Sequence, residues 1–364
     1  MIPPEYGSRS ITDLVGSVCD GLALPGAWDV LGLGCGTRTV IVVIDGLGHH
    51  QLADHAHLAP TLAAGQRGVL TSVVPSTTPV ALTSLGTGLA PGAHGLVGAG
   101  FRYDGGLLYP LAWGEYPRAD EVQPESTWWE RARRANVAVT IVSPRAYRAG
   151  GLTGAALRGG DYWGADGPGE RVAAIAEAVA RGDRSLVYGY WEFLDRAAHM
   201  FGVDSPQYRA ELVAADRWVE QLLRSLPAGV RMVVTADHGV IDCADVVDLD
   251  DHPMLYEGVD EVAGEPRFRH VYTTPGAAGA VTDRWRTELR GMAHVLERDE
   301  AIELGWFGPV DSETRSRIGD VIAVAEGTVR LAVPSRDAGV SALIGQHGAL
   351  SAAEMDVPLI DLGG

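Results

Sequence analysis

Short runs of β-branched residues alternate along this chain with segments of helical periodicity, and that alternation is its strongest restriction on fold. Strand, crossover helix and strand in succession build an α/β fold with a mostly parallel central sheet. Strands are expected at residues 38–45, 68–74, 137–143, 185–191 and 231–236, and helices at 79–87, 127–134, 171–181 and 206–224. Thr127-Trp-Trp-Glu130 is a capping-box pattern, in which hydroxyl and carboxylate each satisfy a free backbone N–H. From about Asp242 to Val340 the rhythm changes to an acidic stretch, a strand-like EPRFRHVYTT, a helix from about Val281 to Val295 and two further strand-like runs. This reads as an inserted β-α-β subdomain. The expected organisation is a catalytic core of residues 1–241 and 341–364 carrying a small α+β cap at 242–340.

Composition narrows the chemistry. All 29 basic residues are Arg, so no Lys is present to reach phosphates in a Walker-type loop, form a Schiff base or bind ATP as in kinases. The net charge of −18 repels long polyanions, which excludes wrapping of nucleic acid. Cys19, Cys35 and Cys243 are odd in number and lack CxxC spacing, so they read as ordinary thiols of a reducing compartment. With no signal-type start and no long apolar run, a cytoplasmic protein with a small-molecule substrate and no membrane partner is expected.

Five segments carry candidate chemistry. VIVVIDGLGHH ends a strand in Asp45, where parallel α/β sheets bind ligands. In SVVPSTTPV, Pro79 suits a first helical turn and makes Thr78 the expected N-cap, its hydroxyl at the positive end of a helix. Asp195 and His199 stand four residues apart and share a face if helical. Asp237-His238-Gly239 ends another strand, and His347 sits between glycines near the chain's end. Singly, each has an ordinary role as a cap or surface ion pair. Together they supply three Asp, three His and a hydroxyl, the donor set of a binuclear zinc site with exchangeable positions. Two divalent ions would balance three carboxylates and one threonine alkoxide, leaving a neutral cluster able to accept a phosphoryl group.

In this order, Asp45 in IDG, Thr78 in PSTT, Asp195 and His199 in DxxxHxxG, Asp237-His238-Gly239 and His347-Gly348 resemble the motifs of the nucleotide pyrophosphatase/phosphodiesterase family of the alkaline phosphatase superfamily. The resemblance spans about residues 38–360. It implies a three-layer α/β/α sandwich and two zinc ions, replaceable by manganese or other divalent ions. One would be held by Asp45, Thr78, Asp237 and His238, the other by Asp195, His199 and His347. It also implies hydrolysis of phosphodiester or nucleotide pyrophosphate bonds through a phosphoryl-threonine on Thr78. Phosphomonoesterase or phosphonate hydrolase activity at the same metals, or zinc-dependent binding of a phosphorylated ligand without turnover, are the alternatives. The family's phosphate-contacting Asn, expected three residues after the nucleophile, is replaced by Ala81, so backbone N–H groups, the metals or an Arg such as Arg102 would hold phosphate. No serine or cysteine has the C/S-x-P-x-R frame of sulfatases, and the PSTT position and the insertion site differ from those of cofactor-independent phosphoglycerate mutases.

Remaining features have competing readings. His49, His50, His55 and His57 are expected on a solvated helix rather than at a further metal site. Trp113, in a Gly/Pro-rich loop, is the aromatic candidate for a substrate pocket, whereas Trp128 and Trp129 suit core packing. Arg267 and Arg269 share a strand face, either to orient a distal phosphate or to balance the acidic insertion.

Overall fold

In the computed structural model, which describes residues 1–363, the β-branched runs form β1 (Arg38–Ile44), β2 (Gln66–Thr71), β3 (Ala138–Ser143), β4 (Asp161–Gly164), β5 (Ser185–Trp191) and β6 (Arg231–Thr235). A second sheet follows, built from β7 (Val259–Glu265), β8 (Phe268–Thr273), β9 (Ala293–Glu297) and β10 (Val321–Ala325). The chain then returns as β11 (Asp356–Leu362). The central sheet runs β2-β11-β6-β1-β5-β3-β4. β1 is parallel to β5 and β6, and β3 to β5 and β4. β11 alone runs antiparallel, wedged between β2 and β6.

The main helices are α1 (His49–Asp54), α2 (Thr78–Thr87), α3 (Trp128–Arg134), α4 (Pro168–Val179), α5 (Phe193–Phe201), α6 (Pro206–Ser225) and α7 (Ala278–Glu288). They cover both faces of the sheet, as the alternation along β5 makes plain. Tyr188 points to one side and meets Trp129 of α3 edge-on. Trp191 points to the other and packs on Trp218 of α6, while Gly189 leaves room for Ile175 of α4. Because both faces are dry, β1 and β5 read as continuous apolar runs rather than alternating ones. The capping box forms as expected: Thr127 Oγ1 accepts the Glu130 N–H at 3.1 Å and Glu130 accepts the Thr127 N–H at 3.0 Å.

Three expectations shift. The N-cap of α2 is Thr77, with extended φ −137° and ψ 144°. Its carbonyl accepts the Ala81 N–H at 2.9 Å, so Thr78 is already the first helical residue. The β-α-β unit of the insertion is split: β8 and β9, joined by α7, run parallel but do not pair, because β10 lies antiparallel to each between them, and β7 adds antiparallel at the edge. Its helix α7 stops at Glu288, because Gly291 with φ +76° turns the chain into β9. Trp285 of α7 is fully buried in that subdomain's own core. Cys19 and Cys243 are buried, Cys35 is exposed, and all are unpaired. Among the described residues no helix is long and apolar enough to cross a membrane.

Candidate active site

Since β1, β5 and β6 are adjacent and parallel, their carboxyl ends release three segments side by side. Asp45 leaves β1 with its N–H donated to Trp191 O at 2.9 Å. Four residues beyond β5, α5 carries Asp195 and His199 on one face, with His199 Nε2 3.0 Å from Asp195 Oδ2. Beyond β6 come Asp237 and His238. Gly46 lets these segments close up: with φ +74° it takes a left-handed turn, and a Cβ there would lie 2.9 Å from the Asp195 Cβ. Its N–H donates to Asp237 Oδ1 at 3.2 Å.

The nucleophile candidate and the last histidine arrive together from another side. Ser76 Oγ donates to Ala349 O at 2.7 Å and accepts the Gly348 N–H at 3.2 Å, while the Ser76 N–H donates to Gly348 O at 3.2 Å. This zips the loop before α2 to the loop carrying His347. Thr78 Oγ1 then lies 3.0 Å from His238 Nε2.

All three imidazoles are oriented alike. Nδ1 of His199 faces Gly345 O at 2.7 Å, Nδ1 of His238 faces Gly239 O at 3.2 Å, and Nδ1 of His347 faces Ser76 O at 3.0 Å. A carbonyl only accepts, so each Nδ1 carries a ring proton; His238 and His347 then present an Nε2 lone pair inward, whereas His199 Nε2 faces the Asp195 carboxylate. The His238 and His347 rings are stacked with centroids 3.6 Å apart. Ligand atoms of Asp45, Asp237 and His238 lie within 4.8 Å of one another, as do those of Asp195, His238 and His347. The two groups share His238, and His199 joins through Asp195.

The chemistry of this donor set fits divalent cations. Asp45 Oδ1, Asp195 Oδ1 and Asp237 Oδ2 are buried without hydrogen-bond partners, an arrangement that is costly unless positive charge is supplied. Burial, and then the charges of Asp237 and Asp195, push the Asp45 carboxyl well above its ordinary range. Burial also opposes charge on Asp195, but His199, His347 and His238 outweigh it and hold that carboxyl below its usual value. Burial likewise opposes a charged His199, yet the Asp195 charge and hydrogen bond raise it to about 9. His347 is driven well below its ordinary value by burial and by His238.

A sequence profile of the type I phosphodiesterase/nucleotide pyrophosphatase family matches residues 39–350. The chain belongs to this family. Membership in the type I phosphodiesterase/nucleotide pyrophosphatase family makes it a phosphoric ester hydrolase, and the segments just described all lie within the matched region. A search of curated proteins finds no match. Among solved structures, murine ectonucleotide pyrophosphatase/phosphodiesterase 5 superposes with a TM-score of 0.72 at 21% identity, over 90% of this chain and 88% of that one. An inactive threonine-to-alanine variant of the murine protein, in complex with AMP, matches with a TM-score of 0.72 at 20% identity, over 90% and 88% of the two chains. Phosphonoacetate hydrolase from Sinorhizobium meliloti 1021, in complex with phosphonoformate, gives 0.69 at 21% identity, over 90% of both chains. The shared feature is the fold, a mostly parallel sheet between helices.

The structure does not bring the expected substrate contacts of this phosphodiesterase-family chain to the cluster. Ala81 has no exposed surface and belongs to the main core. Trp113 is buried in a second apolar cluster, its indole N–H donated to Pro117 O at 2.7 Å. Arg102 is ion-paired to Asp260 at 2.6 Å, lies over the Tyr272 ring and lines a groove of about 730 Å³ with Glu121, Glu313 and Arg317. Arg267 and Arg269 are structural: both are buried, the first bound to Glu354 at 2.9 Å and the second to Asp337 at 2.5 Å. His55 is buried against Tyr208 rather than solvated, while His57 is exposed.

Several residues around the site carried no motif. Tyr190 donates its hydroxyl to Asp45 Oδ2. Gln51 of α1 donates to Val240 O and to Ala353 O, bracing the turn after His238. Arg171 of α4, itself buried, forms a two-pronged pair with Glu192 at 2.7 Å for each contact and so fixes the start of α5. Glu265, at the end of β7, approaches His347 from the second sheet, and burial pushes its carboxyl up to about 8.

Proposed function

We propose that this protein hydrolyses phosphodiester or nucleotide pyrophosphate bonds at a two-zinc site, with Thr78 as the nucleophile and a phosphoryl-threonine as the covalent intermediate. The observation that carries this reading is the gathering of three buried carboxylates with unpartnered oxygens and the imidazoles of His238 and His347 beside the Thr78 hydroxyl, with His199 joined through Asp195. Bound there, divalent cations would supply Lewis-acid stabilisation of negative charge on the threonine and phosphoryl oxygens. Asp45, Asp237 and His238 would hold one, and Asp195, His199 and His347 the other.

The protein's own groups do the rest. Without metal the Thr78 hydroxyl donates to His238 Nε2, because Nδ1 keeps the ring proton and donates it to Gly239 O; the hydroxyl therefore stands beside the atom that would hold the cation. The first turn of α2 places that oxygen at the positive end of a helix, which favours the charge it develops. Burial of Thr78 and its neighbours limits water around the hydroxyl and strengthens each electrostatic contact. With Ala81 in the core, free N–H groups of the first turn of α2 replace an amide side chain as phosphate donors. Residues 242–340 act as a cap over one side, and the three free thiols agree with a cytoplasmic setting. The AMP complex of the murine neighbour supports a nucleotide-type substrate, and the phosphonoacetate hydrolase neighbour supports a phosphonate as the second reading.

Turnover of bis-nitrophenyl phosphate, nitrophenyl phosphate and phosphonoacetate by zinc-loaded protein separates diesterase, monoesterase and phosphonatase. Diester hydrolysis is expected to dominate. Thr78→Ala should lower it by at least about a thousandfold while bound zinc, measured by elemental analysis, stays near the wild-type level. Near-normal rates in that variant would remove Thr78 as nucleophile, and hydrolysis of phosphonoacetate alone would replace the diesterase reading.

A further inference from the structure

We propose that Glu265, reaching in from the second sheet, is a positioning residue that places negative charge against the His347 side of the site and thereby sets how tightly the cation there is held. The proposal rests on the two-zinc reading above. Glu265 is the last residue of β7, and its side chain is buried. Its Oε2 lies 3.8 Å from His347 Nδ1, and its Oε1 has no hydrogen-bond partner. A Thr77 hydrogen bond and the charge of Arg269 favour this carboxylate, but among the described residues no arginine pairs with it: Arg267 is committed to Glu354, and Arg269 to Asp337 and to Leu331 O.

A buried carboxylate without a cation is strongly unfavourable, so keeping one here requires a positive neighbour. His347 provides it when loaded. Its Nδ1–H already donates to Ser76 O at 3.0 Å, and Glu265 lies beside that same N–H. A cation on Nε2 draws electron density from the ring, makes the N–H more positive and strengthens its attraction to the adjacent carboxylate. By the same linkage the carboxylate makes the ring a better ligand.

The backbone is shaped around this contact. Gly348, which follows His347, has φ +125°, and a Cβ built on it would lie 2.7 Å from the Glu265 Cδ. The space that any other residue would fill is occupied by the carboxyl group. Core packing does not call for that, since an apolar side chain from β7 would fill the same space without burying charge.

Zinc titration of metal-free wild type, Glu265→Gln and His347→Ala, by competition with a chelator, tests the proposal. Glutamine keeps the size of the side chain, and melting of the metal-free variants checks that the fold is retained. Wild type is expected to bind two equivalents and His347→Ala one. Glu265→Gln should bind its first equivalent as wild type does and its second about 10–100-fold more weakly. Its kcat should recover at saturating zinc with KM unchanged. Two equivalents bound by Glu265→Gln with wild-type affinity would overturn the proposal, as would a raised KM with unaltered zinc binding, which would make Glu265 a substrate contact. A wild-type protein that binds fewer than two zinc ions would instead overturn the two-zinc reading beneath it.

Discussion

Histidines of one chemical type perform two different tasks in this protein, and their hydrogen bonds tell them apart. Those at the site turn Nδ1–H outward to carbonyls and aim Nε2 into the cluster, at Thr78 for His238 and at Asp195 for His199. His94 and His270 spend both nitrogens in the core: each accepts a backbone N–H at Nδ1, from Leu96 at 3.2 Å and Gly319 at 3.1 Å. Each also donates from Nε2, to Ser84 Oγ at 2.8 Å and Val97 O at 2.9 Å. Both rings are therefore neutral, and burial lowers them to about 3 and about 4. Between the ordinary histidine value of about 6.5 and those lowered values, the unfolded chain binds protons that the folded chain refuses. Stability contributed by each ring is thus complete above pH ~6.5 and falls as pH drops, by about 1.4 kcal/mol per pH unit. Urea melts of metal-free protein at about pH 7, 6 and 5 should show this slope, and His94→Gln should flatten it by one histidine's share. An unchanged slope in that variant would contradict the neutral assignment. At this scale the sequence carried the metal-ligand candidates, because Asp237-His238 and the Asp195, His199 spacing are compact patterns that mark a strand end and a helix face. Tyr190, Ser76 and Glu265 were not legible, since each acts through a contact with a residue more than 80 positions away.

Among the elements, one buried ion pair joins the second sheet to the loops of the site. Arg267 and Glu354 are wholly buried, and Glu354 also accepts the Ala349 N–H at 3.0 Å and, through its carbonyl, the Gly239 N–H at 2.9 Å. The pair thus ties the second sheet to the loops that carry His347 and His238. Arg267→Met leaves a buried carboxylate without its partner and is expected to cost about 3–5 kcal/mol in chemical denaturation. Adding Glu354→Gln should restore part of that loss, and an additive double variant would show that the two do not interact. Strand β5 was legible end to end because its apolar run is continuous, and α6 nearly so because serine and proline mark its start. β11 was not legible as a strand. Pro358 argues against an interior strand, yet it lies where β11 pairs with β2 alone, and β6 joins only from Ile360 onward. That β10 separates β8 from β9 was not legible either, since local pattern does not encode which strands pair.

For the molecule as a whole, charge is the dominant long-range property. A net −18 opposes the approach of an anionic phosphate ester, although the site itself attracts it once loaded with cations. Raising ionic strength from about 0.01 M to 0.15 M shortens the screening length from about 30 Å to about 8 Å. For an anionic diester kcat/KM should therefore rise severalfold over that range, and for a neutral phosphotriester it should stay flat. A fall with salt would mean that local positive potential, not net charge, governs capture. The position of β11 bears on how such a molecule is made. Its partners β2 and β6 pair with it and not with each other. Without residues 356–362 the sheet would be left as two fragments with raw edges, prone to pair with other chains. Deleting that segment should accordingly remove catalytic competence and protection from aggregation together.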